Sequence, residues 1–139
     1  MIPQTVYKEV IKEGRNRAGK SELERAVNEG KIKVYAVQDE LFVNRFLGRL
    51  HRGELEVIAG ARELEVDYLL IDDRSARRLA EQILLEPTGL IGLLKIAKIL
   101  GRVDSLKKCL DILIDNNYRI STKMYRYVLG DVGEDDEKL

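Results

Sequence analysis

The chain has 139 residues, 45% hydrophobic and 35% charged, which suits one compact domain whose core needs no disulfides. Its 24 basic and 24 acidic residues cancel, so any affinity for nucleic acid must come from local clusters. One cysteine, Cys109, and one histidine, His51, exclude the usual Cys/His zinc sites and any Ser-His catalysis not built on His51. No window suits a membrane span or signal peptide, so we expect a cytoplasmic protein, and the high charge is typical of thermophiles.

The first third of the chain is predicted to contain two helices and a strand. A helix covers Met1 to Gly14 with no strand before it, and a basic loop follows from Arg15 to Lys20. Ser21 opens a second helix that ends at Gly30. Lys31 to Val37 alternates apolar and polar residues, which indicates a half-buried or edge strand.

Arginines recur on the next helix, which the apolar period predicts over Gln38 to Leu50. Arg45 and Arg49 lie on this helix and Arg52 follows it, so positive charge is delivered next to Glu54. These arginines either form a solvated, salt-bridged face or position phosphate groups beside a metal site. The spacing alone leaves both interpretations open.

The following helix, Gly53 to Glu65, carries an acid on its buried side. Its apolar residues, from Val57 to Leu64, fall on one stripe, and Glu54 lies on that stripe one turn earlier. A carboxylate at the edge of a core needs a cation or a hydrogen-bond donor, because its desolvation is costly. Alternatively, an acid in the first turn simply suits the helix dipole.

Two aspartates follow the best-defined strand. Tyr68 to Ile71 is a short apolar run, typical of a strand covered on both faces in a parallel sheet. Asp72 and Asp73 come next, at the kind of strand end where open α/β sheets place their chemistry. They either ligate a hard divalent cation or cap the helix that starts near Arg74.

The rest of the chain is predicted to be mostly helical. Ile83 to Glu86 forms a short last strand, and three helices follow at Leu90 to Leu100, Asp104 to Asn116 and Ser121 to Tyr127. Asp131 to Leu139 is an acidic tail that we expect to be disordered. Helices that alternate with short apolar strands indicate an α/β domain.

Four short motifs follow one another over nearly the whole chain. They are Ile2-Pro3 with Val6 and Glu9, then Gly53 to Ile58, then Leu69 to Arg74, and finally Gly89 to Lys98. In this order they resemble the PIN-domain superfamily, and more closely a prokaryotic PIN-like branch similar to toxin-type ribonucleases. The resemblance implies a three-layer α/β/α sandwich with a short parallel sheet, a single domain over residues 1–130.

The resemblance also implies an activity, a Mg²⁺- or Mn²⁺-dependent ribonuclease like the toxin of a toxin–antitoxin pair. Glu54 matches the family's helix acid and Asp73 its strand-end acid, with Asp72 as a neighbour, so these three residues are the expected catalytic and metal-binding set. Metal-activated water would attack the phosphodiester of an RNA substrate. The expected substrate-binding residues are Arg74, Arg45 and Arg49, and an antitoxin protein is the expected partner.

One departure from the family pattern affects both fold and function. Family members begin with a strand that ends in an aspartate, before the segment matching Ile2-Pro3, and this chain starts after that point. Either the gene product begins upstream, or this form lacks a central strand and should recruit backbone partners by strand exchange or as a homodimer. The alternative function is therefore a catalytically incomplete PIN-like module that binds nucleic acid or protein, or dimerises.

Overall fold

The computed structural model describes residues 1–13 and 18–135, so the predicted basic loop at Arg15 to Lys20 lies partly outside the described residues. The chain groups into two compact units, Met1–Thr88 and Gly89–Leu139. The single domain over residues 1–130 stays a prediction.

The first unit contains nine elements within the described residues. In chain order they are β1 (Ile2–Pro3), α1 (Gln4–Glu13), α2 (Lys20–Asn28), β2 (Val34–Tyr35), α3 (Glu40–Phe46), α4 (Arg52–Glu63), β3 (Leu69–Leu70), α5 (Arg74–Gln82) and β4 (Pro87–Thr88). The second unit contains α6 (Leu90–Ile99), α7 (Leu106–Asp115) and α8 (Thr122–Asp131).

The strands form two separate parallel pairs. In one pair Ile2 of β1 is opposite Val34 of β2, and in the other Leu69 of β3 is opposite Pro87 of β4. The predicted α/β class with short parallel strands is confirmed.

Three predicted segments differ from the structure. The first helix was predicted without a strand before it, but Ile2 donates its N–H to the carbonyl of Lys33 at 2.9 Å and so belongs to β1. The strand predicted over Lys31 to Val37 shortens to β2. The strand predicted over Ile83 to Glu86 is displaced to β4, because Leu84, at φ 63°, belongs to the turn that ends α5.

Helix α4 is the centre of the first unit, and α1, α3, α5, β1 and β3 all pack against it. Ile58 and Ala61 belong to a cluster with residues of β3 and α5, whereas Leu55 and Ala59 pack with Val43 of α3. Each fully buried leucine or isoleucine contributes about 1.5–3 kcal/mol relative to an exposed one. Most of the helix is therefore enclosed, so even its polar residues must find partners inside the protein.

Glu56 of α4 is a buried carboxylate, with 5% of the residue exposed. It accepts hydrogen bonds from the N–H of Thr5 at 3.1 Å, from the Thr5 hydroxyl at 2.7 Å and from Nε of Arg52 at 2.9 Å. Arg52 also donates to both oxygens of Glu40 at 2.6 and 2.8 Å. The carboxylates of Glu40 and Glu56 raise the pKa of Arg52. This network joins the starts of α1, α3 and α4.

Glu63 has a similar role at the other end of α4. It accepts hydrogen bonds from the Tyr35 hydroxyl at 2.5 Å and from the N–H groups of Gln38 and Asp39 at 3.0 and 2.7 Å. Burial raises the pKa of Glu63, but these hydrogen bonds outweigh burial and hold its pKa below the usual value. The connection from β2 to α3 is thereby fixed onto α4.

The acidic segment after residue 130 differs from the predicted disordered tail. Asp131 is the last residue of α8 and pairs with Lys95 of α6, and Glu134 reaches the start of α7. The core of this unit is a cluster of four buried residues, Leu106, Leu110, Val128 and Leu129. Residues 136–139 of the predicted tail lie outside the described residues.

Glu134 caps α7 from a distance in sequence. Its carboxylate accepts hydrogen bonds from the Ser105 hydroxyl at 3.0 Å and from the N–H groups of Leu106 and Lys107 at 2.9 and 2.8 Å, and it pairs with Lys98 at 2.8 Å. Burial raises the pKa of Glu134, but these donors outweigh burial and lower it to about 2.

We expect Glu134→Gln to lower the free energy of unfolding at pH 7 by about 1–2 kcal/mol, because charged hydrogen bonds at a helix start are lost. Since the folded-state pKa lies below the unfolded value, this contribution is complete above about pH 4.5 and disappears as the pH falls toward 2. Urea denaturation at pH 7 and pH 2.5 measures it. The control is the exposed Glu86→Gln, and an equal effect at both pH values would contradict the prediction.

We expect Thr5→Val to destabilise the first unit by about 1–2 kcal/mol, because the buried Glu56 carboxylate loses a hydroxyl donor while the side-chain shape is kept. Thr122→Val is the matched control, an exposed threonine at the start of α8. Thermal denaturation followed by circular dichroism compares the two. Equal melting temperatures for both variants would show that the hydroxyl contributes nothing.

Candidate active site

Acidic side chains from three elements line one open pocket of about 780 Å³ in the first unit. Glu9 and Glu13 come from α1, Glu54 from the first turn of α4, and Asp72 and Asp73 from the residues after β3. The structure thus places all three acids predicted for the site on one pocket and adds two more.

The two additional acids share one face of α1. Val6, Glu9 and Glu13 are spaced by three and four residues, so they lie above one another on the helix surface, and all three line the pocket. Two successive contacts set α1 against α4. Thr5 binds Glu56, and one turn further along α1 the carboxylate of Glu9 lies against Gly53.

Gly53 allows this close approach. A Cβ atom at this position would lie 3.1 and 3.2 Å from the two carboxylate oxygens of Glu9 and 3.2 Å from Cγ2 of Val6. Because the first turn of a helix carries partial positive charge, it is a favourable place for a carboxylate. The glycine therefore lets the Glu9 carboxylate lie against the residue that precedes Glu54 in α4.

Glu54 and Asp73 both act as helix caps. Oε2 of Glu54 accepts from the N–H of His51 at 3.0 Å, and Oδ1 of Asp73 accepts from the N–H of Ala76 at 2.8 Å. Capping by Asp73, one of the two interpretations left open by the sequence, is thus present. Each cap uses one carboxylate oxygen and orients the carboxylate toward its helix start, and a carboxylate has a second oxygen that can accept another ligand.

The donor set suits a hard divalent cation, because such ions prefer carboxylate oxygens. Within residues 1–13 and 18–135, however, no three Asp, Glu, His or Cys side chains stand close enough together to hold an ion. The carboxylates agree with a metal site in chemistry and location but are not gathered into one ligand set. Glu9 and Glu13 are exposed and have long side chains, so rotamer changes can move their oxygens within the pocket.

The electrostatic balance of the pocket is negative. The basic groups in its lining are His51 and Arg52, and Arg52 is already paired with Glu40 and Glu56. Clustered like charges in a cleft attract cations and repel phosphate groups. An RNA backbone would therefore need a cation to approach these carboxylates.

The three arginines predicted to bind substrate do not line this pocket. Arg49 lines a separate depression of about 200 Å³ together with Phe46 and Arg78. Arg45 is exposed in the last turn of α3, and Arg74 is exposed at the start of α5, directly after Asp73 in the chain. Their contact with substrate stays a prediction.

Sequence reasoning missed Glu9 and Glu13 as candidates for the site. Glu9 belongs to the first of the four motifs, and Glu13 lies near the end of the predicted first helix. The available signal was that Val6, Glu9 and Glu13 share a face, so the apolar stripe of α1 continues into two acids.

The fold and the pocket define an α/β domain in which acids from three elements line one pocket beside the end of a parallel strand. A family model described as a PIN domain matches residues 1–134, so the chain belongs to the PIN-domain superfamily and the resemblance is confirmed. PIN domains generally depend on a divalent metal. Comparisons with curated proteins and with solved structures found no match.

None of the helices in the described part of the chain is long and apolar enough to cross a membrane.

We expect Gly53→Ala and Gly60→Ala to differ, although both are buried glycines of α4. At Gly60 a Cβ would make ordinary contacts at 3.6 Å, so alanine should stabilise by up to about 1 kcal/mol through helix propensity. At Gly53 crowding against Val6 and Glu9 should cancel this gain. Urea denaturation compares the two variants, and equal stabilisation would refute the close approach of Glu9.

Proposed function

We propose that this chain is a metal-dependent ribonuclease that hydrolyses phosphodiester bonds at the carboxylate pocket. The observation that carries the proposal is the meeting of Glu9, Glu13, Glu54, Asp72 and Asp73 on one pocket beside a strand end. Membership of the PIN-domain superfamily supports it. A role as the toxin of a toxin–antitoxin pair, with an antitoxin protein as partner, stays a prediction from the resemblance.

Four of these acids are the proposed metal ligands, namely Glu9, Glu54, Asp72 and Asp73. A bound Mg²⁺ or Mn²⁺ supplies Lewis-acid chemistry, which polarises phosphate oxygens and makes a water molecule more acidic. The caps at Glu54 and Asp73 leave Oε1 and Oδ2 as the available oxygens. Their hydrogen bonds to backbone N–H groups orient the two carboxylates before any ligand binds.

The acidic pocket also selects how a substrate enters. Its charge disfavours the RNA backbone, so a phosphate approaches only where a cation offsets the acids. Arg74, which follows Asp73 in the chain, is the proposed first contact with the backbone, and Arg45 and Arg49 extend that contact. Such contacts carry no sequence information, and they make binding weaken as salt rises.

One observation favours the second candidate, a non-catalytic PIN-like module that binds nucleic acid or protein. Among the described residues the acids are not assembled into a ligand set, and Glu54 and Asp73 already serve as helix caps. In that case the same residues stabilise α4 and α5 and bind no metal.

The deciding experiment uses Asp73→Asn and Glu54→Gln, because asparagine is a good N-cap and glutamine preserves the capping box. Both variants should keep the melting temperature. We expect each to reduce cleavage of a single-stranded RNA in Mg²⁺ or Mn²⁺ by at least about 100-fold, as for loss of a group that stabilises the transition state. Mn²⁺ binding by calorimetry should weaken in parallel.

The matched controls are Asp115→Asn and Glu81→Gln, which change exposed acids outside the pocket and should leave cleavage unchanged. Full activity in Asp73→Asn would end the nuclease proposal. A chain that binds RNA but neither binds Mn²⁺ nor cleaves would support the non-catalytic module instead.

A further inference from the structure

A shallow depression of about 200 Å³ lies in the first unit between α5 and the end of α3 with the turn that follows it. Two guanidinium groups and a hydroxyl lie on its rim, those of Arg49, Arg78 and Ser75. Its floor is apolar and is formed by Phe46, Leu50 and Leu79. Among the described residues its lining holds no acid. The depression therefore suits a ligand that joins an anionic group to an apolar body.

The floor of the depression belongs to the core of the first unit. Phe46, Leu50 and Leu79 all pack against one buried cluster that contains Leu55. The rings of Phe46 and Phe42 also lie 5.1 Å apart, measured between their centroids. Because these contacts hold the floor in place, an apolar ligand meets a surface that is already formed.

A tight turn after α3 positions Arg49. The N–H groups of Arg49 and Leu50 both donate to the carbonyl of Phe46, at 3.1 and 3.4 Å. Gly48 has a φ of 92°, a conformation that favours glycine. The turn therefore fixes the backbone from which the exposed Arg49 side chain reaches the depression.

The two arginines of the depression are not paired with acids. Within residues 1–13 and 18–135 neither Arg49 nor Arg78 forms an ion pair, and this includes Glu81, the acid nearest to Arg78 in sequence. Arg52, in contrast, is paired with two carboxylates. An unpaired guanidinium keeps its planar set of donors for a phosphate, which it can bind through two hydrogen bonds.

Arginines on α5 connect the depression with the carboxylate pocket. Arg74 directly follows Asp73, which lines the pocket, and Arg78 lies one turn further along the same face of α5. One turn of a helix advances by about 5.4 Å. A strand whose backbone contacts Arg74 can therefore place a neighbouring nucleotide at Arg78.

We propose that the depression binds one nucleotide of the single-stranded RNA that enters the carboxylate pocket, an inference that rests on the proposed function for the identity of the strand. Arg49, Arg78 and Ser75 bind the phosphate, and the base lies on the floor that contains Phe46. Every base has an apolar face, so such a site accepts any sequence. The subsite holds the strand at one point while a neighbouring phosphodiester lies at the carboxylates.

The lining of the depression favours a nucleotide over an acidic peptide. Arginine binds carboxylates as well as phosphates, so the rim alone does not distinguish the two ligands. A nucleotide carries its anion and its flat apolar base in one unit, which matches a cationic rim directly above an apolar floor. A peptide carries the acid and the apolar group on different residues.

The first test measures binding of a fluorescein-labelled oligoadenylate decamer by fluorescence polarisation over a series of salt concentrations. EDTA is present, so that metal-dependent cleavage does not interfere. We expect the double variant Arg49→Gln, Arg78→Gln to weaken binding at least about tenfold, because charged hydrogen bonds to a phosphate are lost. The slope of log Kd against log salt should become shallower by about 0.7, the value for one fewer phosphate neutralised on a single strand.

The matched control is the double variant Arg25→Gln, Lys33→Gln. It removes the same charge from two exposed residues of the first unit that do not line the depression. We expect it to change neither the affinity nor the salt slope. Circular dichroism checks that both double variants are folded.

The second test asks whether the floor binds a base. Phe46→Leu keeps an apolar side chain in the core but removes the aromatic ring. We expect this variant to bind oligoadenylate at least about fivefold more weakly than the original chain, because stacking of a base on the ring is lost. It should bind an abasic decamer, which has the same backbone without bases, as well as the original chain does.

Several results would overturn this assignment. They are equal affinity and salt slope in the two double variants, an equal loss of both probes in Phe46→Leu, and no binding of oligoadenylate. Competition by adenosine monophosphate as strong as by the unlabelled decamer would assign the depression to free nucleotides, and equal competition by a peptide of alternating glutamate and phenylalanine would assign it to an acidic protein segment. A chain that binds as expected but does not cleave loses only the nuclease proposal, whereas one that cleaves without these binding differences loses only the nucleotide subsite.

Discussion

The first unit depends on the burial of one carboxylate, that of Glu56. A buried carboxylate is costly unless hydrogen bonds and an opposite charge compensate it, and here Thr5 and Arg52 supply both. Because Thr5 lies at the start of α1, the same hydrogen bonds set how that helix lies along α4. The next turn then places Glu9 against Gly53. A structural carboxylate thus determines where a candidate functional carboxylate stands.

The acids of α4 and of the strand end differ in how many of their oxygens take part in structural hydrogen bonds. The carboxylate oxygens of Glu56 and Glu63 accept hydrogen bonds from neighbouring elements, so these two acids stabilise the fold. Glu54 and Asp73 each use one carboxylate oxygen to accept a hydrogen bond from an N–H group at a helix start. Glu9 and Glu13 are exposed on α1 and have long side chains, so they are the most adaptable acids of the pocket.

The sequence predicts features that depend on residues close together in the chain, and it does not predict features that depend on distant partners. Local periodicity placed α4, and the apolar run before Asp72 placed β3, because burial pattern and capping are local properties. Local periodicity could not predict β1, because this strand is formed by a hydrogen bond from the Ile2 N–H to the carbonyl of Lys33, far away in sequence. The position of Glu134 is likewise fixed by hydrogen bonds from the N–H groups of Leu106 and Lys107, which lie far earlier in the chain. Composition alone cannot report such partners.

If Glu54 and Asp73 bind a ligand as proposed, their observed role as helix caps has a thermodynamic consequence. Since their carboxylates also secure the first turns of α4 and α5, occupancy of the pocket and folding of the first unit are linked equilibria. A ligand that binds only the native chain stabilises it by mass action, about 2.7 kcal/mol at a hundred times its Kd. Under the proposed function, the supply of such a ligand would therefore set what fraction of the first unit is folded.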